Sequence, residues 1–356
     1  MNATQWMIYG ANGYTGRRIA EQAAARGQGP GGARGGAARL RPLADRLCCT
    51  HRQFALDDPA RVAAGLEGMG LVLNCAGPFS RTAEPMIEAC LRAAVHYLDI
   101  TGEIDVIEAA AARNARAAAA GVVLIPAVGF DVVPSDCLAA LLAQRLPTAN
   151  LLQLAFSGTG RLSPGTARTV LEALPQGGRV RRDGRIVAVP LAWKTIRVEL
   201  ADGPRTGVSV PWGDVASAWH TTGIPNIEVY LMMPEGQARW MRRLGRLAPL
   251  LRMPLPIDWI RAGLSHFMAG PEADQAGGTL LWGRVSNAEG RQAEATLTTP
   301  EAYRLTVLSA LAAVERVLAG GVGRGFLTPA KAFGAEFVLS LPEVRLATTS
   351  PSCAGS

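Results

Sequence analysis

The sequence predicts an α/β chain: a doubly wound parallel sheet fills the first third, and a second α+β domain on a mixed or antiparallel sheet follows. Three observations predict it. Short apolar runs alternate with Ala-rich amphipathic stretches as far as about residue 135, the rhythm of βαβ units with helices on both faces of a parallel sheet. A glycine-spaced turn, GANGYTG, lies directly between the first apolar run and the first amphipathic stretch. Beyond about residue 150 the rhythm changes to strand-like pieces separated by Gly and Pro.

In order along the chain, QWMIYG reads as the first strand and GRRIAEQAAARG as the first helix. DDPARVAAGL opens a helix with Asp58 as N-cap and Pro59 at the first helical position, and Asp57 beside it is included among the candidate cofactor-binding residues. GLVLNCAG, HYLDITG and VVLIPAVGF are further strands, with PMIEACLRAAV and VIEAAAARNARAAAAG as the helices between them. VPSDCLAALLAQRL repeats the helix-start signature with Pro134, Ser135 and Asp136. The second domain offers NLLQLAFSG, GRIVAVPLAW, PRTGVSVPW, NIEVYLMMP, GGTLLWGRVSN and GRQAEATLTT as strands. A closing helix, PEAYRLTVLSALAAVERVLAGG, ends in Gly320 and Gly321 as its C-cap. The expected division is 1–135, 136–342 and a disordered tail over 343–356, with the helix at 300–320 able to pack back on the first domain.

Composition narrows the function classes. With 356 residues, 49% of them apolar, the chain can bury a substantial core in each of two domains. The net charge of +7 comes with basic residues that are nearly all Arg and spread along the chain, so nucleic acid is not an expected partner. Cys48, Cys49, Cys75, Cys90, Cys137 and Cys353 show no C-x-x-C spacing, and His51, His96, His220 and His266 show no ligand pairing, so no metal site is expected. Neither a signal peptide nor a membrane-spanning run is evident, which points to the cytoplasm and reduced thiols. One segment stands apart: residues 239–261 mix six Arg with Trp and Leu. It offers peripheral contact with anionic lipid at the inner face of the plasma membrane, or equally a basic helix packed on its own domain.

The GANGYTG turn carries the strongest chemistry. Gly10, Gly13 and Gly16, with Asn12, Tyr14 and Thr15 between them, follow a strand and open a helix, as in the Rossmann-type turn that brings backbone N–H groups to a pyrophosphate. The second strand of such a domain should begin near Gln28, where the sequence reads GPGGARGGAARL. An acidic residue there would bind the ribose of NAD. Residues 28–44 contain none but do contain Arg34, Arg39 and Arg41, which favours the 2′-phosphate of NADP(H). The same glycines weaken any strand, so a solvated loop is the competing expectation.

At this point the chain resembles the saccharopine dehydrogenase-like oxidoreductases, including the lipid-linked subgroup called trans-acting enoyl reductases. GANGYTG, NCAGPFSRTAEPMIEACLRAAVHYLDITGE, GFDVVPSD and, more loosely, SPGTARTVLEAL carry the resemblance. Where the family has an apolar second strand ending in Gly-Arg, this sequence has GPGGARGG. The resemblance implies that NCAGP, that is Asn74, Cys75, Ala76, Gly77 and Pro78, is the loop after the fourth strand and runs beside the cofactor; Cys75 also reads as a small buried hydrophobe. HYLDITGE brings Asp99, Thr101, Gly102 and Glu103 to the same sheet edge, although Thr101 and Glu103 equally suit a helix start. GFDVVPSD is the implied crossing into the substrate domain, and Asp131, Ser135 and Tyr97 are the local candidates for a catalytic proton donor. Tyr97 lies near the start of its strand, where packing is the commoner role, and Asp136 suits an N-terminal helical position.

These observations lead to an NADP(H)-dependent oxidoreductase that acts on a small-molecule or acyl-type substrate, with a homodimer as an allowed assembly. An unsaturated acyl chain fits the mixture of Arg with Trp and Leu in the second domain better than the three carboxylates of saccharopine. A non-catalytic NADP-binding protein that docks on a membrane or another enzyme is the reading from a different class.

Overall fold

The computed structural model describes residues 5–29, 31–33, 37–157, 177–200, 203–236, 238–239, 278–348 and 352–353. It divides into two compact units, Met1–Cys137 with Tyr303–Pro342, and Leu138–Ala302 with Glu343–Ser356.

The first unit holds β1 (Trp6–Tyr9), β2 (Gly31–Ala33), β3 (His51–Arg52), β4 (Leu71–Asn74), β5 (His96–Asp99) and β6 (Val123–Ile125). They run parallel in the order β3-β2-β1-β4-β5-β6. Helices α1 (Tyr14–Ala25), α2 (Ala37–Arg46), α3 (Pro59–Gly65), α4 (Phe79–Ala93), α5 (Ile104–Ala112), α6 (Asn114–Ala119) and α7 (Val133–Arg145) follow the strands. β1 and β4 are buried along their whole length, which is why they read as unbroken apolar runs. Met7, Tyr9, Val72, Tyr97 and Leu124 share one core with Met86, Ile87 and Cys90 of α4. The strand order reverses between β1 and β4, and outside the carboxyl ends of such strands open α/β sheets bind their ligands. Tyr9, Asn74 and Asp99 pair across β1, β4 and β5 at that edge.

The glycine-rich stretch does form a strand. Gly31–Ala33 pairs with Met7–Tyr9 on one side and with His51–Arg52 on the other, so ladder bonds on both sides replace the side-chain packing that glycines lack. Arg34 and the side chain of Arg39 lie outside the described residues, whereas Arg41 is exposed on α2.

The second unit holds β7 (Leu151–Ser157), β8 (Gly178–Arg182), β9 (Arg185–Val189), β10 (Thr195–Val198), β11 (Arg205–Ser209), β12 (Asn226–Met233), β13 (Thr279–Ser286) and β14 (Arg291–Thr299). Its sheet is mixed: β7 and β12 are parallel, and the remaining ladders are antiparallel. Gly283 of β13 lets Leu138 and Leu142 of α7 press against the backbone, since a Cβ there would meet Leu142 at 2.7 Å. Glu228 is buried in the sheet and takes hydrogen bonds from Lys194, Gln153 and Tyr230.

The chain's last part departs from the sequence-based division. Not only the helix Ala302–Ala319, from Tyr303 onward, but the whole of Tyr303–Pro342 joins the first unit, where β15 (Gly325–Phe326) adds a parallel edge strand to β6. A two-residue strand leaves no periodicity to read. Ser309 donates to the Val128 carbonyl and Asp136 accepts from the Ala330 amide within this unit. The tail expected to be disordered also pairs. β16 (Arg345–Thr348) and β17 (Ser352–Cys353) lie antiparallel to β14, whose edge groups they satisfy without contributing a hydrophobic face that a sequence would reveal. Among the described residues no helix is long and apolar enough to cross a membrane. Residues 240–261, which carry nearly all of the expected lipid contact, and SPGTARTVLEAL lie outside the described residues.

Candidate active site

The turn after β1 is held by its own backbone. Gly10 has a φ of 92°, and the Gly13 amide donates to the Gly10 carbonyl at 3.0 Å. A Cβ on Gly10 would strike the backbone of Cys75 and Ala76 at 2.9 and 2.8 Å, and one on Gly16 would collide with the Gly10 carbonyl. These two glycines therefore let β1, the loop after β4 and α1 meet. Gly13 differs. A Cβ there meets only the Gly10 carbonyl, at 3.2 Å, and its own position is exposed. Asn12, Tyr14 and Thr15 beside it are partly exposed, and Tyr14 lies edge-on to Tyr303 with ring centroids 5.1 Å apart.

Helix N-termini near this edge are not equivalent. On α3 the Asp58 carboxylate accepts from the Ala60 amide at 2.8 Å. On α4 the Glu103 carboxylate accepts from Phe79 and Ser80, both at 2.8 Å. Both helices already hold an anion. α1 starts at Gly13 with no side-chain cap and no acidic residue in its first turn. Its N–H groups and positive dipole end face a space without a Cβ, which fits a pyrophosphate.

Glu103 was a candidate for touching the cofactor, and the structure gives its carboxylate a different partner, the start of α4. Glu103→Ala should cost about 1–2 kcal/mol of stability, the usual loss of a helix cap, in chemical denaturation. NADPH affinity should stay within about twofold; a large loss of affinity would return Glu103 to the cofactor.

The loop Cys75–Pro78 leaves β4 with its backbone pinned. The Cys75 amide donates to the Tyr9 carbonyl at 2.7 Å, and the Ala76 amide donates to Asn74 Oδ1 at 3.0 Å. The Thr82 hydroxyl donates to the Ala76 carbonyl at 2.6 Å. Burial and the nearby Asp99 charge push the Cys75 thiol up, which favours the protonated thiol over the thiolate. Thr101 is fully buried, and its hydroxyl accepts from the Glu103 amide at 3.0 Å, a turn-forming role. Asp57 is exposed between β3 and α3.

Of the three proton-donor candidates, one keeps access to the site. Tyr97 is fully buried, with its hydroxyl donated to Asp99 Oδ2 at 2.7 Å, and burial and the Asp99 charge hold it well above the usual tyrosine range. Ser135 is buried and donates to the Val132 carbonyl at 3.1 Å. Both are structural, because a hydroxyl committed inside the protein cannot reach a ligand. Asp131 remains partly exposed and lies over Gly102, where a Cβ would meet Asp131 Oδ2 at 2.8 Å. Burial pushes its carboxyl up to about 7. Sequence reasoning passed over Tyr303 and placed Asn74 in the cofactor loop, whereas it ends β4 with its side chain buried. The polar ending of an otherwise apolar LVLN strand is the signal that identifies Asn74, whereas Tyr303 meets Tyr14 only through the fold.

Residues 6–125 match the saccharopine dehydrogenase NADP-binding domain. The chain is 30% identical over 233 residues to the trans-acting enoyl reductase of Mycobacterium ulcerans, covering 58% of this chain and 53% of that protein. It is 35% identical over 91 residues to the saccharopine dehydrogenase-like oxidoreductase of Mus musculus, covering 25% of this chain and 20% of that one. The chain thus spans about half the length, or less, of these curated relatives. Among solved structures it is similar in fold to the apo saccharopine dehydrogenase (L-Glu forming) of Saccharomyces cerevisiae, at 12% identity and a TM-score of 0.67, covering 97% of this chain and 100% of that one. Strand order, glycine turn and open α1 terminus agree with the family match: residues 6–125 belong to the saccharopine dehydrogenase NADP-binding domain family.

Proposed function

We propose that the chain is an NADP(H)-dependent oxidoreductase that reduces an unsaturated acyl substrate of the lipid-linked kind, with Asp131 as the proton donor. The observation that carries the cofactor half is the uncapped, acid-free start of α1 beside two glycines that admit no side chain. A bound NADPH supplies a hydride. For a double bond conjugated to a carbonyl, hydride adds at the β-carbon, the double bond opens, and the α-carbon takes a proton. Asp131 suits that proton: burial pushes its carboxyl up to about 7, so the protonated acid is populated near neutral pH, and its partial exposure lets solvent recharge it.

Two further points support an acyl substrate. The relative with the longest match reported above is an enoyl reductase by name. In the second unit, Lys194 is bound to Glu228 at 2.8 Å and Arg284 to Glu294 at 3.4 Å, so these cations are already neutralised and are poor receivers for a substrate with several carboxylates. Contact of residues 239–261 with the inner face of the plasma membrane belongs to the same proposal.

The test has two parts. In a fluorescence titration NADPH should bind at least about tenfold tighter than NADH, an advantage of about 1.4 kcal/mol. NADPH should then be consumed with 2-enoyl thioesters and not with a panel of imines. Equal affinities would contradict the cofactor choice, and turnover of imines alone would replace the acyl reading with an amino-acid one.

A further inference from the structure

Three buried polar side chains at the carboxyl edge of the first sheet form a single chain of hydrogen bonds. Asn74 and Asp99 are cross-strand neighbours on β4 and β5, and Tyr97 sits one side-chain repeat below Asp99 on the same face. Asn74 Nδ2 donates to the Tyr97 hydroxyl at 3.4 Å, and that hydroxyl donates to Asp99 Oδ2 at 2.7 Å. All three side chains are fully buried.

Backbone groups fix both ends. At one end the Ala76 amide donates to Asn74 Oδ1 at 3.0 Å, so the side-chain amide cannot turn over and must present its Nδ2 to Tyr97 and Thr82. At the other end Asp99 Oδ1 accepts from the Thr101 amide at 2.9 Å and from the Ala127 amide at 2.8 Å. The chain therefore ties Ala76, in the loop after β4, to Ala127, in the segment after β6 that leads to Asp131. Its direction is set: Tyr97 must accept from Asn74 and donate to Asp99. A proton on Asp99 has only Oδ2 to occupy, because Oδ1 already faces two N–H donors. There it would confront the Tyr97 O–H, and the donor at Asn74 prevents the tyrosine from turning away.

We infer that Asn74, Tyr97 and Asp99 form a proton-sensitive tie that positions the loops after β4 and β6, so that protonating Asp99 weakens NADP(H) binding. This rests on the proposed cofactor site. Asp99, Tyr97 and Asn74 are positioning residues and touch no substrate. Among the described residues the titratable groups bearing on Asp99 are Tyr97 of its own strand, Glu103 after β5 and Cys75 after β4, with Cys90 of α4 behind Tyr97, and none of these is a cation. Burial pushes the Asp99 carboxyl up to about 6 despite the opposing pull of the Ala127 and Thr101 amides and the Tyr97 hydroxyl. Binding that requires the carboxylate must then weaken as pH falls through that value.

The experiment measures NADPH affinity by calorimetry from about pH 8 to about pH 5 for the wild type, Tyr97→Phe and Asp99→Asn. NADH, which has no 2′-phosphate to titrate, is run in parallel. The wild type should lose about tenfold in affinity across this range, for both cofactors, beyond any loss seen in Asp99→Asn. Asp99→Asn, which places an N–H donor where the protonated acid would have its O–H, should bind weakly at every pH. Tyr97→Phe removes a donor to the carboxylate and should move the midpoint to higher pH, a shift that a merely structural loss would not produce. Equal pH slopes in the wild type and Asp99→Asn, or an unmoved midpoint in Tyr97→Phe, would overturn the tie while leaving the cofactor site standing. No NADPH binding at any pH would overturn both.

Discussion

Gly13→Val should abolish NADP(H) binding while leaving the first unit folded. The Gly13 backbone is extended, with a φ of −75° that valine can adopt, and its Cβ would press on a single atom, the Gly10 carbonyl oxygen at 3.2 Å, which must give by a few tenths of an ångström. The branched side chain would instead fill the space in front of the α1 amides where the pyrophosphate belongs. Affinity should fall at least about a hundredfold, about 2.7 kcal/mol, with little change in melting temperature. Gly10→Ala and Gly16→Ala should behave oppositely. Their methyl groups meet the backbone of the loop after β4 and of the turn itself, and Gly10 also sits at a φ of 92°, so both variants should lose stability before any question of affinity arises. Normal NADPH binding by Gly13→Val in calorimetry would place the cofactor elsewhere.

Asp131→Asn should lower turnover about a hundredfold to ten-thousandfold, the range for loss of a general acid, with NADPH affinity kept within about twofold. The wild-type rate should fall as pH rises through about 7, because only the protonated carboxyl can donate, and that fall should vanish in Asp131→Asn. Gly102→Ala gives an independent handle. Its Cβ would lie 2.8 Å from Asp131 Oδ2, so the carboxyl must move, and turnover should drop without any change to the acid itself. A pH profile in Asp131→Asn that matches the wild type would remove Asp131 from the proton step.

What could be read from the sequence depended on how each element earns its stability. β1, β4 and α1 carry apolar runs and a helical stripe that make the elements and also mark them, so the glycine turn could be placed between strand and helix without coordinates. The six strand-like pieces of the second domain were legible for the same reason. β15 and β16 were not, because each is stabilised by ladder bonds to a neighbour already in place rather than by a side-chain pattern, and for the same reason the glycines of β2 left a loop open beside the strand expected near Gln28. The candidate site divides in a similar way. Gly10, Gly13 and Gly16 follow from local spacing. Glu103 and Tyr97 could be placed near the site but not assigned, since the partner of each lies on another element: the start of α4 for Glu103, and Asn74 on β4 for the Tyr97 hydroxyl. A polar residue ending an apolar strand, as in LVLN and HYLD, is the sign of such a buried tie, and its partner appears only once the strand register is known.

Transfer of deuterium from the cofactor to the acyl chain decides whether this chain carries out hydride transfer. NADPH carrying deuterium at its reducing position is incubated with the wild-type chain and a 2-enoyl thioester, and the product is read by mass spectrometry and NMR. The expected product is a saturated acyl thioester with one deuterium at the β-carbon and a solvent-derived proton at the α-carbon, formed with an equal amount of NADP+ and lost in Gly13→Val. NADPH that binds tightly yet delivers no deuterium to any enoyl thioester or imine offered would contradict it and leave a cofactor-binding protein without hydride transfer.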